Sequence, residues 1–282
     1  MEIHKVAVIG AGTMGHGIAQ VAAMAGCEVW LTDANAAALD AARAKVQANL
    51  DKGVARGKVD ADVAASTMER LHTGSLAEGV PGADLVVEAV PESLQLKQRL
   101  FRDVDGLAPS HAILATNTSS LSVATIASAV ADPGRVVGMH FFNPVHIMKL
   151  LELIQAEGTR DDVVAAAKAF GERIGKTCIV VRDMPGFATS RLGVCLGMEA
   201  IRMVEQGVAS PEDIDTAMVL GYRHPVGPLK LTDMVGLDVR MAIGSYLSKE
   251  LGNPAFEPPE LMKQMVAEGK LGKKAGKGFY DW

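Results

Sequence analysis

A histidine and a glutamate stand twelve residues apart in a segment that is otherwise almost entirely apolar. The segment "VVGMHFFNPVHIMKLLELI" covers residues 136–154 and contains His140 and Glu152. A neutral imidazole accepts a proton near neutral pH, and a neighbouring carboxylate stabilises the resulting cation and fixes the tautomer. If "RVVGMHFF" is a strand and "KLLELI" returns beside it, each side chain offsets the cost of burying the other. The sequence then predicts either an acid–base pair or a purely structural His–Glu contact, with Glu152 on an exposed strand edge as a further alternative.

Other polar residues follow two more predicted strands. The segments "ADLVVEAVPES" and "HAILATNTSS" each predict a strand, a loop and a helix, and they place Glu92, Asn117 and Ser119 just after the strands. Ligands of open α/β sheets bind outside the carboxyl ends of the strands, so we expect these side chains to line one crevice. Ser120 and Ser119 also suit a helix cap, and we expect at least one of them to cap the helix that begins near residue 122.

The start of the chain carries a glycine-rich motif between a strand and a helix. In "KVAVIGAGTMGHGIAQ", Gly10, Gly12 and Gly15 form G-x-G-x-x-G around Thr13 and Met14. The first glycine permits a tight turn, the second lets the backbone approach a pyrophosphate, and the third lets the helix pack closely on the strand. The helix N-terminus then presents backbone N–H groups and a positive dipole end to phosphates. This motif predicts a dinucleotide site.

A second strand, "CEVWLTD", ends in an acidic residue that completes the motif. The carboxylate of Asp33 is suited to accept both ribose hydroxyls and would repel a 2′-phosphate, which favours NAD over NADP. Ala89, at the end of the next predicted strand, is assigned to the same cofactor site. The alternative is an ordinary glycine-rich turn between a strand and a helix.

A long insertion separates the second predicted strand from the third. About fifty residues lie between Asp33 and "ADLVVEAV", more than a simple crossover needs, and long insertions are often functional. Residues 36–72 are predicted to be a mostly helical insertion that carries Lys52, Arg56 and Lys58. In an acidic chain, this cationic cluster is either a site for an anionic partner, such as a substrate with phosphate groups, or an ordinary solvated helix end.

Composition narrows the class of protein. The chain has 282 residues, of which 49% are hydrophobic and 22% are charged, and this is typical of a folded globular protein. The net charge of −5 does not favour nucleic acid or an anionic membrane as a partner. No apolar run is long enough to span a membrane, and the start lacks the pattern of a secretory signal. The three cysteines have neither metal-binding spacing nor a disulfide framework, so we expect a cytoplasmic protein without a metal site.

Strand signals stop after about residue 183, and helical patterns follow. The segment "PGFATSRLGVCLGMEAIRMVEQG" opens with Pro185, which suits a first helical turn, so Ser190 should lie about one turn into that helix. "SPEDIDTAM" resembles a capping box and predicts another helix start at Ser210. We therefore predict an α/β protein with a Rossmann-type doubly wound sheet in residues 1–183, followed by an all-helical domain in residues 184–282.

Taken together, these motifs resemble the short-chain (S)-3-hydroxyacyl-CoA dehydrogenase family, in particular its stand-alone bacterial 3-hydroxybutyryl-CoA dehydrogenases. The resemblance extends over essentially the whole chain and rests on "VIGAGTMGHGIAQ", "VVEAVPES", "NTSSLS", "HFFNPVHIMKLLELI", "DMPGFATSRL", "EDIDTAM" and "GKKAGKGFYDW". It implies an NAD-dependent enzyme that oxidises an (S)-3-hydroxyacyl-CoA to the 3-ketoacyl-CoA and catalyses the reverse reaction. It also implies a homodimer formed through the helical domain.

The resemblance implies roles for individual residues. His140 is implied to be the general base, with Glu152 as its orienting partner and Ser119 bonded to the substrate hydroxyl. The remaining implied contacts are those of Glu92, Lys97 and Asn117 with the cofactor and of Lys52, Arg56 and Asn143 with the acyl-CoA substrate.

Two positions depart from the family pattern. The family usually has proline where this chain has His146, and it usually has an active-site asparagine where this chain has Ser190. Asparagine offers a two-donor amide and a carbonyl, whereas serine offers one shorter hydroxyl, so catalytic efficiency or substrate identity is affected. Two alternatives therefore stay open: a dehydrogenase of a non-CoA 3-hydroxy acid or sugar acid, and an NAD-binding protein weakened in catalysis by Ser190.

Overall fold

The computed structural model describes residues 2–282. The chain divides into two compact units, of which the first ends at Asp183 and the second begins at Met184. Each unit is described below by itself.

The first unit is built on one twisted sheet. Within the described residues the sheet has eight strands in the order β3-β2-β1-β4-β5-β6-β7-β8, and the chain order reverses between β1 and β4. The first six strands are parallel, β7 is antiparallel to β6, and β8 is parallel to β7. The strands are β1 Lys5–Ile9, β2 Glu28–Thr32, β3 Leu71–Gly74, β4 Leu85–Glu88, β5 Ile113–Thr116, β6 Val136–Phe141, β7 Leu150–Gln155 and β8 Thr177–Arg182. This topology confirms the predicted Rossmann-type sheet and places the ligand crevice at the carboxyl ends of its central strands.

Helices cover the sheet and bury its apolar residues. They are α1 Gly15–Met24, α2 Ala36–Ala55, α3 Ala61–Glu69, α4 Leu76–Gly79, α5 Leu94–Asp105, α6 Val123–Ala127 and α7 Asp161–Arg173, with a short 3₁₀ helix at Pro133–Arg135. One continuous core joins the helices and strands through side chains such as Val8, Ile18, Leu31, Val137 and Phe170. Strands β4, β5 and β6 are buried along their whole length, as parallel strands covered on both faces should be.

The insertion is helical but shorter than the sequence predicted. Helices α2 and α3 form it, whereas residues 71 and 72 begin β3 and pair with β2. The four-residue segment "LHTG" has little strand propensity of its own, and the hydrogen bonds offered by the neighbouring strand decide its conformation.

The expectation that Ser119 or Ser120 caps the next helix was wrong. Helix α6 is capped by Ser122, whose hydroxyl accepts a hydrogen bond from the N–H of Thr125 at 3.2 Å. The preceding residues form a separate turn in which the Thr118 hydroxyl accepts from the N–H of Ser120 at 3.3 Å. The helix can therefore begin only after this turn.

The second unit is helical, as predicted. It contains α8 Thr189–Glu205, α9 Pro211–Thr216, a π-helical segment Ala217–Gly221, α10 Pro228–Val235, α11 Leu237–Leu251 and α12 Glu260–Ala267, with 3₁₀ helices at Pro254–Phe256 and Lys273–Ala275. Its core includes Met198, Ile201, Leu229 and Leu247. The predicted cap is confirmed, because the Ser210 hydroxyl accepts from the N–H of the residue three positions on at 3.2 Å.

Helix α8 begins later than the sequence predicted. Pro185 lies outside the helix, which starts at Thr189. Gly186 and Phe187 adopt positive φ angles of 77° and 50°, which a right-handed helix excludes. Ser190 is therefore the second residue of the helix, in its first turn, and does not lie a full turn inside it.

None of the helices in residues 2–282 is long and apolar enough to cross a membrane. All three cysteines are free thiols. Over the same residues, no group of three or more His, Cys, Asp or Glu side chains is arranged so that it could hold a metal ion.

Candidate active site

The two polar residues of the apolar segment meet at the end of β6. Strands β6 and β7 are antiparallel, and their register sets His140 directly opposite Glu152. Opposed residues of an antiparallel pair project from the same face of the sheet, so their side chains are neighbours. The Nδ1 atom of His140 lies 2.7 Å from Oε2 of Glu152. The predicted return strand and the predicted contact are both observed.

This contact fixes the chemistry available to the imidazole. The Glu152 side chain is completely buried and that of His140 is 9% exposed. A carboxylate acceptor keeps the proton of a neutral imidazole on Nδ1, which leaves the lone pair on Nε2. The Phe142 ring lies 4.4 Å from the His140 ring, centroid to centroid, and restrains its orientation. Nε2 of His140 is thus arranged to take a proton, and the adjacent carboxylate would stabilise the cation that forms.

The polar residues after β4 and β5 come together, as predicted from topology. Oε1 of Glu92 accepts hydrogen bonds from the Thr118 hydroxyl at 2.6 Å and from the Ser119 N–H at 2.9 Å, and the Ser119 hydroxyl lies 3.3 Å away. Oδ1 of Asn117 accepts from the N–H of Phe141 at 2.9 Å. These bonds tie the carboxyl ends of β4, β5 and β6 into one polar rim beside His140.

The sequence analysis did not predict a buried ion pair that contacts Glu92 of this rim. Nζ of Lys97 lies 2.6 Å from Oε1 of Glu88 and 3.2 Å from Oε2 of Glu92. Thr116 donates its hydroxyl proton to the other oxygen of Glu88 at 2.7 Å. A signal was available, because Glu88 ends the buried strand "LVVE", and a carboxylate in that position needs a charged partner. Lys97 is fully buried in α5, so its immediate contacts are these two carboxylates.

The environment of Glu92 favours its ionised form. Burial alone would raise its pKa, but the charge of Lys97 and the hydrogen bonds from Thr118 and Ser119 outweigh burial and lower the pKa below its usual value. A permanent carboxylate therefore orients the Ser119 segment at neutral pH.

Glycine is required at two positions of the β1–α1 loop and leaves open space at a third. Gly10 has a φ of 102°, and a Cβ there would lie 2.7 Å from the carbonyl oxygen of Ala89. A Cβ at Gly15 would lie 1.7 Å from the carbonyl oxygen of Gly10, so only glycine allows α1 to begin against the strand. By contrast, nothing lies within 4 Å of a Cβ built at Gly12. Thr13, like Gly12, is exposed, and Met14 is half-buried.

Asp33 closes this loop from the end of β2. Its Oδ2 atom accepts from the N–H of Ala11 at 2.7 Å, and its Oδ1 atom accepts from the N–H of Asn35 at 2.9 Å. The residues present fit a dinucleotide, because Gly12 is open to an approaching group, α1 begins beside it, and an acidic side chain stands at the end of β2.

The predicted cationic cluster lies at the end of α2. Lys52 and Arg56 are exposed, as is Lys58 beyond the helix. The side chain of Asn49, one turn earlier, donates to the Gln20 side chain of α1 at 3.1 Å and attaches the insertion to that helix. The cluster is therefore carried on an element that packs against α1.

Three further residues singled out in the sequence are Asn143, His146 and Ser190. Asn143 is exposed and follows β6. The pKa of His146 is lowered by partial burial and by the charges of His16 and Lys176. Ser190 belongs to the second unit, where it is half-buried in the first turn of α8.

Comparison with known proteins agrees with this geometry. The family model described as "3-hydroxyacyl-CoA dehydrogenase, NAD binding domain" matches residues 5–184, and the C-terminal domain model of the same family matches residues 186–282. The chain belongs to the 3-hydroxyacyl-CoA dehydrogenase family. An NAD-binding domain is part of the family's definition, which makes NAD(H) the cofactor of this class.

Members of the family match over nearly their full length. The chain is 42% identical to the probable 3-hydroxybutyryl-CoA dehydrogenase of Bacillus subtilis, with 100% of this chain and 98% of that protein covered. It is 40% identical to the 3-hydroxybutyryl-CoA dehydrogenase of Clostridioides difficile, with 99% of each covered. The crystal structure of (S)-3-hydroxybutyryl-CoA dehydrogenase from Ralstonia eutropha is 39% identical, has a TM-score of 0.96 and is matched over 99% of its chain and 100% of this one.

Proposed function

We propose that this protein catalyses the reversible NAD-dependent oxidation of short-chain (S)-3-hydroxyacyl-CoA to 3-ketoacyl-CoA. The observation that carries the proposal is the 2.7 Å contact between Nδ1 of His140 and the buried carboxylate of Glu152, at the end of a strand that borders the crevice. Relatives named as 3-hydroxybutyryl-CoA dehydrogenases support the short acyl chain.

In the proposed mechanism, His140 is the general base. Its Nε2 atom takes the proton of the substrate 3-hydroxyl, and Glu152 stabilises the imidazolium and holds its tautomer. Ser119 donates or accepts a hydrogen bond at the substrate oxygen and fixes its position. A bound NAD⁺, which the loop around Gly12 and the Asp33 side chain would hold, would supply the acceptor for the hydride of the carbon that bears this hydroxyl. In the reverse direction, the imidazolium of His140 returns the proton to the oxygen.

The cofactor is proposed to lie over the glycine-rich loop. Gly12 faces open space where a pyrophosphate would approach. Asp33 is proposed to bind the ribose hydroxyls and to select NAD over NADP. The proposed cofactor-binding set is Gly10, Gly12, Thr13, Met14, Gly15, Asp33, Ala89, Glu92, Lys97 and Asn117. Because Lys97 is fully buried, we propose that it acts on the cofactor mainly by holding Glu92.

Contacts with the acyl-CoA substrate are proposed for four further residues. Lys52 and Arg56 would attract the phosphate groups of coenzyme A, which is consistent with their exposure at the end of α2. Asn143 and Ser190 are proposed to contact the acyl part of the substrate. In this proposal, residues 1–183 bind the dinucleotide and residues 184–282 contribute substrate binding and dimerisation.

A homodimer formed through the helical unit is part of the same proposal. Large apolar side chains of this unit are strongly exposed, among them Leu192 at 72%, Leu220 at 75% and Tyr222 at 76%. Groups of exposed apolar side chains are typical of protein–protein contacts.

A cytoplasmic location is also proposed. The free state of all three cysteines supports a reducing compartment.

The decisive experiment measures NADH consumption with acetoacetyl-CoA, with longer 3-ketoacyl-CoAs and with the corresponding free 3-keto acids. We expect turnover of the thioesters and at least tenfold weaker activity with the free acids. Preference for the free acids would identify a dehydrogenase of non-CoA substrates. Binding of NADH without turnover of any substrate would identify a protein that has lost catalysis.

A further inference from the structure

A cavity in the first unit is lined by basic side chains and by no acidic one. It has a volume of about 290 Å³ and lies where the last turn of α1, the loop between β6 and β7, and the end of α7 meet. Its basic lining residues are His146, Lys149, Arg173 and Lys176, and the rest of its lining is apolar. The first three of these are exposed, so the cavity is open to solvent. We call it the basic cavity.

Lys176 carries a buried charge at this cavity. The residue is 8% exposed, and its ammonium donates hydrogen bonds to the carbonyl oxygens of Val145 and Met148, the second at 2.7 Å. Lysine is almost never buried to this extent unless its charge is paired, and a carbonyl group has no net charge to offer. An ammonium has three N–H donors, so one remains after these two bonds.

No carboxylate in residues 2–282 pairs with the basic cavity. None of the ion pairs in this range includes any of its four basic residues. Burial and the charge of Lys149 lower the pKa of Lys176. Burial and the charges of His16 and Lys176 lower the pKa of His146. The charges that act on these two side chains are therefore all positive.

Arg173 also keeps its charge. Its guanidinium donates a hydrogen bond to the carbonyl oxygen of Ile3, and Nη2 lies 2.6 Å from Sγ of Cys27. Burial raises the pKa of the Cys27 thiol above its usual value, so this thiol is uncharged at neutral pH. Neither contact supplies a negative charge to the arginine.

The charge balance of the basic cavity favours a doubly charged anion. The carbonyl end of a helix is equivalent to roughly −0.5 elementary charge, so the ends of α1 and α7 together supply about −1. Lys149, Arg173 and Lys176 supply about +3, which leaves about two positive charges before His146 is counted. A phosphate group carries roughly −1.5 to −2 charges at pH 7 and matches this surplus better than a singly charged carboxylate does.

We propose that the basic cavity binds a phosphate group. Lys149 and the remaining donor of Lys176 would bind its oxygens, and His146 would add a donor at the rim. A cleft lined by charges of one sign concentrates counter-ions of the other sign. Free phosphate and a phosphate carried by a larger molecule, such as coenzyme A, present the same oxygens to these donors. None of the four basic residues has a role in the proposed reaction, so binding here goes beyond the proposed function.

The test measures binding of inorganic phosphate by calorimetric titration at constant ionic strength. NADH is present at saturation, so that the glycine-rich loop is already occupied. We expect one phosphate per chain, bound at least tenfold more tightly than acetate. Lys149→Glu removes one charged contact and adds a repulsive charge, and it should weaken phosphate binding at least tenfold. Lys149 is exposed, so the variant should keep its fold.

Two control variants localise the bound phosphate. Lys168→Glu reverses another exposed charge of α7, which pairs with Glu172 at 3.9 Å, and it should keep the affinity. Replacement of both Lys52 and Arg56 with Ala should also keep it. A loss in either control as large as that in Lys149→Glu would overturn the inference, because attraction would then be general or lie elsewhere. Equal affinity for acetate, or no binding of phosphate, would overturn it as well.

Titrations with coenzyme A and with pantetheine identify what carries the phosphate. If Lys149→Glu weakens binding of coenzyme A at least tenfold and leaves that of pantetheine unchanged, the phosphate group belongs to coenzyme A. If it weakens only the binding of inorganic phosphate, the occupant is the free ion. Both results support the phosphate site. These measurements need no turnover, so they test the site even if the proposed function fails.

Discussion

The carboxylate of Glu92 accepts a hydrogen bond from the backbone N–H of Ser119, with 2.9 Å between oxygen and nitrogen. The same carboxylate lies 3.2 Å from Nζ of Lys97, which is anchored on the buried side chain of Glu88. A buried ion pair in the nucleotide-binding unit therefore supports the segment that carries a proposed substrate contact.

This relationship predicts a dependence of stability on pH. Lys97 and the hydrogen bonds from Thr118 and Ser119 lower the pKa of Glu92 despite its burial. A carboxylate with a lower pKa in the folded state contributes stability that is fully present above its unfolded pKa, about 4.3, and is lost as the pH falls through the folded value. Glu92→Gln should therefore destabilise the protein at neutral pH, and the difference should shrink below about pH 4.3.

Urea unfolding of both proteins between neutral and acidic pH measures this difference. Because the Glu92 side chain is 36% exposed, solvent screening should keep it below about 1 kcal/mol. Glu157→Gln, at an exposed position, is the matched control and should show no such pH dependence. A Glu92 difference that stays constant or grows toward acidic pH would refute the assigned role.

Asp33 is predicted to set the choice of cofactor. A 2′-phosphate would meet its carboxylate, so catalytic efficiency with NADH should exceed that with NADPH by about ten- to a hundredfold or more. Asp33→Asn removes the charge and should narrow this ratio. The variant also weakens the acceptor for the Ala11 N–H, so some loss of NADH affinity is expected as well. Initial rates with both cofactors give the ratio, and equal efficiency in the unchanged protein would rule out this role.

Lys52 and Arg56 are predicted to bind the phosphates of coenzyme A. Replacing both with Ala should raise KM for acetoacetyl-CoA roughly tenfold at low salt, with a smaller effect at high salt, because exposed charges are screened. Acetoacetyl-pantetheine lacks the phosphates and should be unaffected. Lys168→Ala removes a cation from the exposed face of α7 and serves as the control. An equal rise in KM for the pantetheine thioester would show that the cluster acts through structure.

Ser190 is predicted to limit the rate with acetoacetyl-CoA. An asparagine amide reaches further than the hydroxyl and would restore a hydrogen bond in the transition state, worth about 1.5–3 kcal/mol when a charged group takes part. Ser190→Asn should raise turnover roughly ten- to a hundredfold and leave NADH binding unchanged. Steady-state kinetics and NADH titration measure the two effects. An asparagine variant that is no faster would indicate that Ser190 is adapted to another substrate.

The sequence was sufficient to predict those structural features that have strong local or periodic signals. The glycine motif predicted the first strand, loop and helix, and the apolar segment around His140 predicted the antiparallel pairing with Glu152. The start of α9 followed from its capping residue, Ser210. In each case a few adjacent residues determine the local backbone or the buried face.

Features decided by distant partners were missed or misplaced. Strand β3 depends on hydrogen bonds with β2, and the Glu88–Lys97 pair depends on a side chain nine residues away. The late start of α8 depends on positive φ angles at Gly186 and Phe187. The sequence gives no signal for the second of these angles, because positive φ is expected mainly at glycine. The position of the cap at Ser122 depends on a turn formed by Thr118.

The central claim is that His140 takes the substrate proton and that Glu152 makes it able to do so. The most direct measurement is the turnover of His140→Gln with NAD⁺ and 3-hydroxybutyryl-CoA, together with its dissociation constant for NADH. We predict a loss of roughly 10²–10⁴-fold in kcat, the usual contribution of a positioned acid–base group, with NADH affinity nearly unchanged. A folded variant that keeps near-full activity would contradict the account and leave His140 as a structural partner of Glu152.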